Sequence, residues 1–452
     1  MRGRKCLKNR KKVNRKGEIG KKCITLGAKT GIKTMTKYNL FTLGNGLRVV
    51  HNYEPTSAMV AVDTLYNVGS RDERRDLTGI AHLFEHLMFG GSEHIPDFDA
   101  EMERAGGMNN ACTSSDFTNF YDIAPAVNLE TLLWLESDRM LAPSLTERVL
   151  ETQRAVVMEE FKETCLNQPY GDFSHRLHAL LYREHPYRVP TIGADLEHIR
   201  RITIEDVRTF FATHYAPNNA VLAISGNVTL EECREAVEKW YGDIPSREIA
   251  PRLYQPESEI TEPRSETVHG DVPCAMVVRA YPMCAHGEAG FAEADLLTDI
   301  LASGRSSRYF RKLMTNPIFA EADASIAGSD EAGFLMLRAR LAEGAEEHAQ
   351  EAVELLTAEA MRLCETASAE HPDGVTRQEV ERAVNRFKSN YTFNLLNVAA
   401  RADRLAHAVM QGEDINEVPK VYEGVTAESI AREAEKILDP RKACTLYYLP
   451  KA

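Results

Sequence analysis

No stretch of this chain approaches eighteen uninterrupted apolar residues, which excludes a membrane-spanning helix of ordinary length. Cysteine is sparse, nine in 452 residues, and its members are scattered without paired spacing. An odd, dispersed set indicates free thiols in a reducing compartment, so the expected location is cytoplasmic. The phosphate-loop pattern Gly-x-x-x-x-Gly-Lys and the dinucleotide pattern Gly-x-Gly-x-x-Gly are both missing. Gly69-Ser70, Gly90-Gly91 and Gly106-Gly107 therefore read as helix caps and turns. No Gly-x-Ser-x-Gly elbow is present, which removes the commonest serine-hydrolase signature. What remains is an ordinary globular balance, 43% hydrophobic and 27% charged, over a length that implies two or three domains.

Charge is unevenly spread. The first 34 residues hold 13 Lys and Arg against one acidic residue, Glu18, while the rest of the chain carries −25. A basic arm of this kind suits nucleic-acid binding or an organelle presequence. It lacks the apolar core of a secretory signal, is poor in serine and has no clear amphipathic period. Residues 1–34 are therefore expected to be a disordered arm or an extension ahead of a natural start at Met35, with no nucleic-acid or membrane partner. The acidic body suggests weak steering of basic peptides.

Histidine is also scarce, 14 in all, yet two fall in His82-Leu-Phe-Glu85-His86. A chance match in a chain this long is expected about a few times in a hundred. On a helix, His82 and His86 share one face a turn apart, and two imidazoles so placed can hold one Zn²⁺. Glu85 lies beside them, within reach of a water on the metal, in the inverted order of the His-Glu-x-x-His metallopeptidase helix. Thr78 is the expected N-cap and Gly90-Gly91 the stop. Ile80, Leu83, Phe84, Leu87 and Met88 make the rest of the helix apolar and hence buried, where two His and a Glu are costly unless paired or metal-bound.

A catalytic zinc takes three protein ligands and leaves a position for water. The helical segment Leu145–Cys165 contains Gln153-Arg-Ala-Val-Val-Met-Glu159-Glu160. With the histidine motif, it resembles the second signature of the pitrilysin/insulinase family of zinc metallopeptidases, which includes the mitochondrial processing peptidases. That resemblance implies Glu160 as third ligand, with 73 residues between it and His86. Glu159 is the near alternative, turned about 100° around the helix. Asn110-Ala111-Cys112-Thr113 through Tyr121 resembles the family strand that pairs with substrate backbone, which implies Asn110 and Ala111 as peptide contacts. His185-Pro-Tyr-Arg and Tyr215-Ala-Pro-Asn218 are also similar to family segments. Two departures stand out. The family usually has a glutamate seven residues before the ligand, and this chain has Gln153 there, able to hydrogen-bond but uncharged. The Arg and Tyr seven residues apart in self-sufficient members are missing, since Thr315 and Ile318 follow Arg308 and Arg311 at that spacing. The resemblance thus implies a zinc-bearing subunit, working as a homodimer or with a paralogous subunit that carries the Arg/Tyr pair.

An internal repeat supports two homologous halves. Ile202-Thr-Ile-Glu205 with Tyr215-Ala-Pro217 echoes Val425-Thr-Ala-Glu428 with Leu438-Asp-Pro440 at a constant offset of 223. Prolines 245, 251, 256 and 263 mark a linker. The expected division is a zinc-binding domain over 35–244, a linker over 245–265 and a zinc-free homologous domain over 266–452. Asn39–Thr42 and Leu47–Asn52 flank Gly44-Asn-Gly46 as a hairpin, and Ala58–Val68 follows as a strand. Strands and helices mix without regular alternation, so the fold class is α+β, and the resemblance implies in each half a mixed, mainly antiparallel sheet packed on helices, half of a clamshell. Aligning Gly90 with Gly304 sets Leu296, Asp299 and Ile300 at the places of His82, Glu85 and His86, so one zinc per chain is expected.

His175, His178 and His185 form a second histidine group, read as a polar face because no Cys or acidic partner has ligand spacing. Cys112 reads as a small strand filler. The functional expectation is a zinc endopeptidase acting on short or unfolded peptides in a dimeric chamber, with His82, His86 and Glu160 on the metal and Glu85 as general base. The competing expectation is a non-catalytic assembly subunit of the same family.

Overall fold

The repeat and the strand signals resolve into two sheets of one design. The computed structural model describes residues 35–252 and 255–451; the basic arm expected over 1–34 lies outside the described residues. In chain order the strands are β1 (Asn39–Thr42), β2 (Arg48–Tyr53), β3 (Met59–Tyr66), β4 (Met108–Thr113), β5 (Thr118–Pro125), β6 (Ala220–Gly226), β7 (Arg264–Gly270), β8 (Met276–Met283), β9 (Phe319–Gly328), β10 (Gly333–Leu341) and β11 (Cys444–Pro450). The first sheet runs β1-β2-β6-β3-β5-β4 and the second β7-β11-β8-β10-β9. Each has one parallel pair, β2 with β6 and β7 with β11, and is otherwise antiparallel. The fold is α+β with two matching halves, and β1 is the one strand without a counterpart.

The 223-residue offset has a structural cause. Thr203 and Thr426 each cap a helix, Ile204–His214 and Ala427–Ile437, with their side chains accepting from the backbone of the third residue on. Pro217 and Pro440 each open a short 3-10 turn, and β6 or β11 then enters the sheet beside the parallel strand. Proline fits there because the first turn of a helix has no use for its missing N–H.

Two helices cross between the halves, which the resemblance gave no reason to expect. Val398–Gln411, from the C-terminal part, lays Ala402, Leu405, Ala406 and Ala408 on Val50, Ala61, Leu65, Val221 and Ala223 of the first sheet. Phe173–Leu181, from the N-terminal part, sets Leu177 and Leu181 against Val278, Ala280 and Leu446 of the second. Burying a Leu or Val stabilises by about 1.5–3 kcal/mol, so this reciprocal exchange ties each sheet to the other half. Among the described residues no helix is long and apolar enough to cross a membrane.

Candidate active site

The helix bearing the histidine motif spans Ile80–Leu87, and Ile80, Leu83, Phe84 and Leu87 are buried as its periodicity requires. Its start differs from expectation. The N-cap is Gly79, in the left-handed region at φ 90°, where a side chain would press on the Ile192 carbonyl 3.0 Å away. Thr78 does not cap the helix; its hydroxyl is engaged by His198 Nδ1 at 2.9 Å and by the Ala194 N–H at 2.8 Å. The free amides of the first turn are taken instead by the Glu73 carboxyl, which accepts from Gly79 N–H at 2.9 Å and Ala81 N–H at 2.8 Å. Sequence reasoning missed Glu73 because a cap supplied from six residues upstream has no spacing rule. Glu73→Ala is expected to destabilise the fold by about 0.5–2 kcal/mol, the usual worth of a helix cap, read as a lower denaturant midpoint. An unchanged midpoint would remove Glu73 from this role.

His82 and His86 project side by side, their ring centroids 4.9 Å apart and their planes at 88°. The partner helix spans Glu147–Phe161, capped by Thr146, with Leu150, Val157 and Phe161 buried. Its last turn delivers Glu160, whose Oε1 lies 3.8 Å from His82 Nε2 and whose Oε2 lies 3.4 Å from His86 Nε2. Glu159 points away to Lys162 at 2.6 Å, with most of its side chain in solvent. Among the described residues His82, His86 and Glu160 are the one group of three or more His, Cys, Asp or Glu arranged to hold a metal ion, their donor atoms all within 4.8 Å of one another.

This donor set fits zinc. Bonds of about 2.0–2.2 Å to imidazole and carboxylate in a tetrahedral arrangement put donors roughly 3.3–3.6 Å apart. The two nitrogen-to-oxygen distances, 3.8 and 3.4 Å, lie close to that. Burial, and then the neighbouring His86, pushes His82 down to about 4, and burial also lowers His86 against the opposing pull of Glu160 and Gln153. Both shifts favour the neutral ring, the form whose lone pair can meet a cation. Gln153 lies beside His86 and pulls its pKa upward.

Glu85 sits on the same helix as the histidines, and burial raises its pKa, with Glu160 adding to the rise and a hydrogen bond from Thr113 opposing it. The Thr113 hydroxyl donates to Glu85 Oε2 at 2.5 Å. Thr113 was missed as a functional residue, although it closes the Asn110-Ala-Cys-Thr segment; its partner lies 28 residues away. That segment is not one strand as far as Tyr121. It turns at Ser114, whose hydroxyl accepts from the Asp116 and Phe117 amides at 3.0 Å each, and returns as β5. Among the described residues β4 is the outermost strand of its sheet, with one side unpaired. Asn110 and Ala111 lie on it, and the Ala111 N–H donates to the Asn110 side-chain oxygen at 2.8 Å. Burial pushes the Cys112 thiol up to about 11, the wrong direction for a nucleophile.

The second histidine group makes no metal site. His175 Nε2 meets the Gly193 carbonyl at 2.8 Å, His178 Nδ1 the Tyr187 carbonyl at 2.7 Å, and His185 Nε2 the Glu331 carboxylate at 3.3 Å. In the second half the helix Phe291–Ala302 stands where the motif helix stands in the first. Leu296 and Ile300 are buried there, and Asp299 pairs with Arg386 of the Arg377–Asn394 helix at 3.6 Å. An ion pair joins these two helices where the first half brings His82, His86 and Glu160 together.

Two family patterns match the chain, "Insulinase (Peptidase family M16)" over residues 48–195 and "Peptidase M16 inactive domain" over 201–387. The chain is 32% identical to the zinc protease PqqE of Helicobacter pylori, over 63% of this chain and 65% of that protein's length. It is 30% identical to the mitochondrial-processing peptidase subunit beta of Caenorhabditis elegans, over 51% of this chain and 49% of that one. A solved structure of a protease from Helicobacter pylori superposes with a TM-score of 0.85 at 25% identity, covering 92% of this chain and 100% of the other.

Proposed function

The chain belongs to the insulinase family of peptidases, M16, and from that premise we propose that it is a zinc-dependent endopeptidase cleaving short or unfolded peptides. The observation that carries this reading is the convergence of His82, His86 and Glu160 beside Glu85 at the open end of a sheet. His82, His86 and Glu160 would hold zinc, which when bound would lower the pKa of a water toward neutrality and polarise the scissile carbonyl. Glu85 removes the proton of the attacking water as oxygen bonds to the carbonyl carbon, then gives it to the leaving amine as the C–N bond breaks. Thr113 holds the Glu85 carboxylate by one oxygen and leaves the other for that transfer. Gln153, beside His86, helps to orient that ring. Peptide adds to β4 as a further strand, displacing the Asn110 side chain from the Ala111 N–H, so backbone rather than sequence is recognised.

One chain supplies two of the four units that such a chamber needs. The relative from Caenorhabditis elegans is named as a subunit. The working form is a homodimer, or a heterodimer with a paralogous chain bearing the Arg/Tyr pair. The seven described cysteines are unpaired, which supports a reducing, cytoplasmic setting.

The non-catalytic alternative rests on Gln153, on the absent Arg/Tyr pair and on the description "inactive domain" over 201–387. That description covers the half without ligands. The deciding test is cleavage of a quenched fluorescent peptide mixture by the purified chain, alone and with a paralogous subunit. Chelator-sensitive cleavage in either form supports the peptidase, whereas silence in both makes the chain a scaffold. Elemental analysis is expected to give about one zinc per chain, the number a single three-ligand site holds. A value near two would mean a metal site in the second half.

A further inference from the structure

The turn that ends β4 is held by both halves at once. Ser70 and Arg71 donate their backbone N–H groups to the carbonyls of Ser114 at 3.1 Å and Ser115 at 2.9 Å. A side chain at Gly69 would lie 2.5 Å from the Ser115 carbonyl, so this approach needs glycine. Asp116, at the tip, is 5% exposed and accepts from Arg71 Nη1 at 2.8 Å and from the Tyr187 hydroxyl. The turn between β9 and β10 of the second half closes the cluster. Asp330 N–H donates to Asp116 Oδ2 at 3.0 Å, Asp330 Oδ2 accepts from Arg71 Nη2 at 3.2 Å, and Glu331 Oε1 stands 3.5 Å from Arg71 Nη1. Glu331 also meets His185 Nε2 at 3.3 Å, and Gln411 on the crossing helix Val398–Gln411 donates to Asp330 Oδ1 at 3.1 Å. One arginine, 4% exposed, thus gathers a carboxylate from the strand turn and two from the opposite half.

We propose that Asp330 and Glu331 of the metal-free half are positioning residues for the peptide-binding strand, acting through Arg71 and Asp116 to fix the turn of β4 and β5. The proposal rests on the peptidase reading for its kinetic consequence and on geometry alone for its structural one. An edge strand binds peptide well only if its unpaired backbone is already extended and still; a mobile edge is ordered at the expense of binding. Among the described residues no strand lies on the outer side of β4, so its stillness comes from its ends, and the end nearest Glu85 is the one latched here. The Tyr187 contact gives the His185-Pro-Tyr-Arg segment its place in the same device. The metal-free half thereby acts on catalysis without touching the metal.

The test is the double variant Asp330→Asn/Glu331→Gln, which keeps size and removes charge at two positions only partly buried and outside both cores. Kinetics use the quenched peptide mixture, and backbone order is read by amide hydrogen exchange over residues 108–118. The expected result is a KM raised about three- to tenfold with kcat within twofold, the pattern of lost uniform binding. Zinc content should stay unchanged, and exchange should be faster at residues 114–118. Asp116→Asn is expected to produce the same pattern more strongly. Exchange at 114–118 equal to wild type overturns the proposal, as does a fall in kcat with KM unmoved. If the wild-type chain cleaves no peptide either alone or with a paralogous subunit, the peptidase reading fails by itself, and the exchange measurement still decides the latch.

Discussion

Glu85→Gln is expected to lower kcat by about 10²–10⁴-fold, the usual worth of a positioned general base. Zinc content should remain near one per chain, because Glu85 is not among the three groups whose donor atoms converge. The amide of Gln matches the carboxylate in shape and still accepts from Thr113, so the link to β4 survives. What it lacks is basicity, and with no group to take the proton of the water, attack on the carbonyl stalls. KM should change little, since peptide contacts on β4 are intact. Steady-state kinetics on the quenched peptide, with elemental analysis of the same preparation, checks both halves of the expectation. Near-full activity in this variant would refute the mechanism.

His82→Ala is expected to reduce cleavage to the chelated background and zinc to near zero. The site then offers one imidazole and one carboxylate, too few for a retained catalytic zinc. A second readout needs no activity. A ligand that binds only the folded state stabilises by about 4 kcal/mol at a thousandfold excess over its dissociation constant. Wild-type protein should therefore melt at a lower temperature with chelator than with zinc, and the variant should melt at one temperature in both. His175→Ala serves as control and should keep its zinc, because His175 is bound to the Gly193 carbonyl and joins no donor group. Stoichiometric zinc in His82→Ala would place the metal elsewhere.

The sequence by itself determined whatever depends on spacing along one element. The four-residue step from His82 to His86 gives a shared helix face, because a turn takes about 3.6 residues. Gly44-Asn-Gly46 made the β1–β2 hairpin legible, and the repeat of Thr203 and Pro217 at Thr426 and Pro440 revealed the duplication, because caps and turns are local chemistry. The loss of histidine in the second copy was visible for the same reason.

Only the tertiary structure decided which groups meet across the chain. Glu159 and Glu160 are equally acidic, and the lie of their helix against the motif helix turns one to the histidines and the other to solvent. Resemblance suggested the choice; no spacing rule could. Glu73 on the first turn of the motif helix, Thr113 on Glu85, the turn at Ser114 and the two crossing helices left no periodic mark. Arg71 and Asp330 are far apart in sequence, yet 3.2 Å apart in the fold. A side chain's own neighbours in sequence fix its backbone geometry, whereas its hydrogen-bond partner is fixed by how whole sheets and helices pack, and that packing sums many weak contacts that no short segment contains.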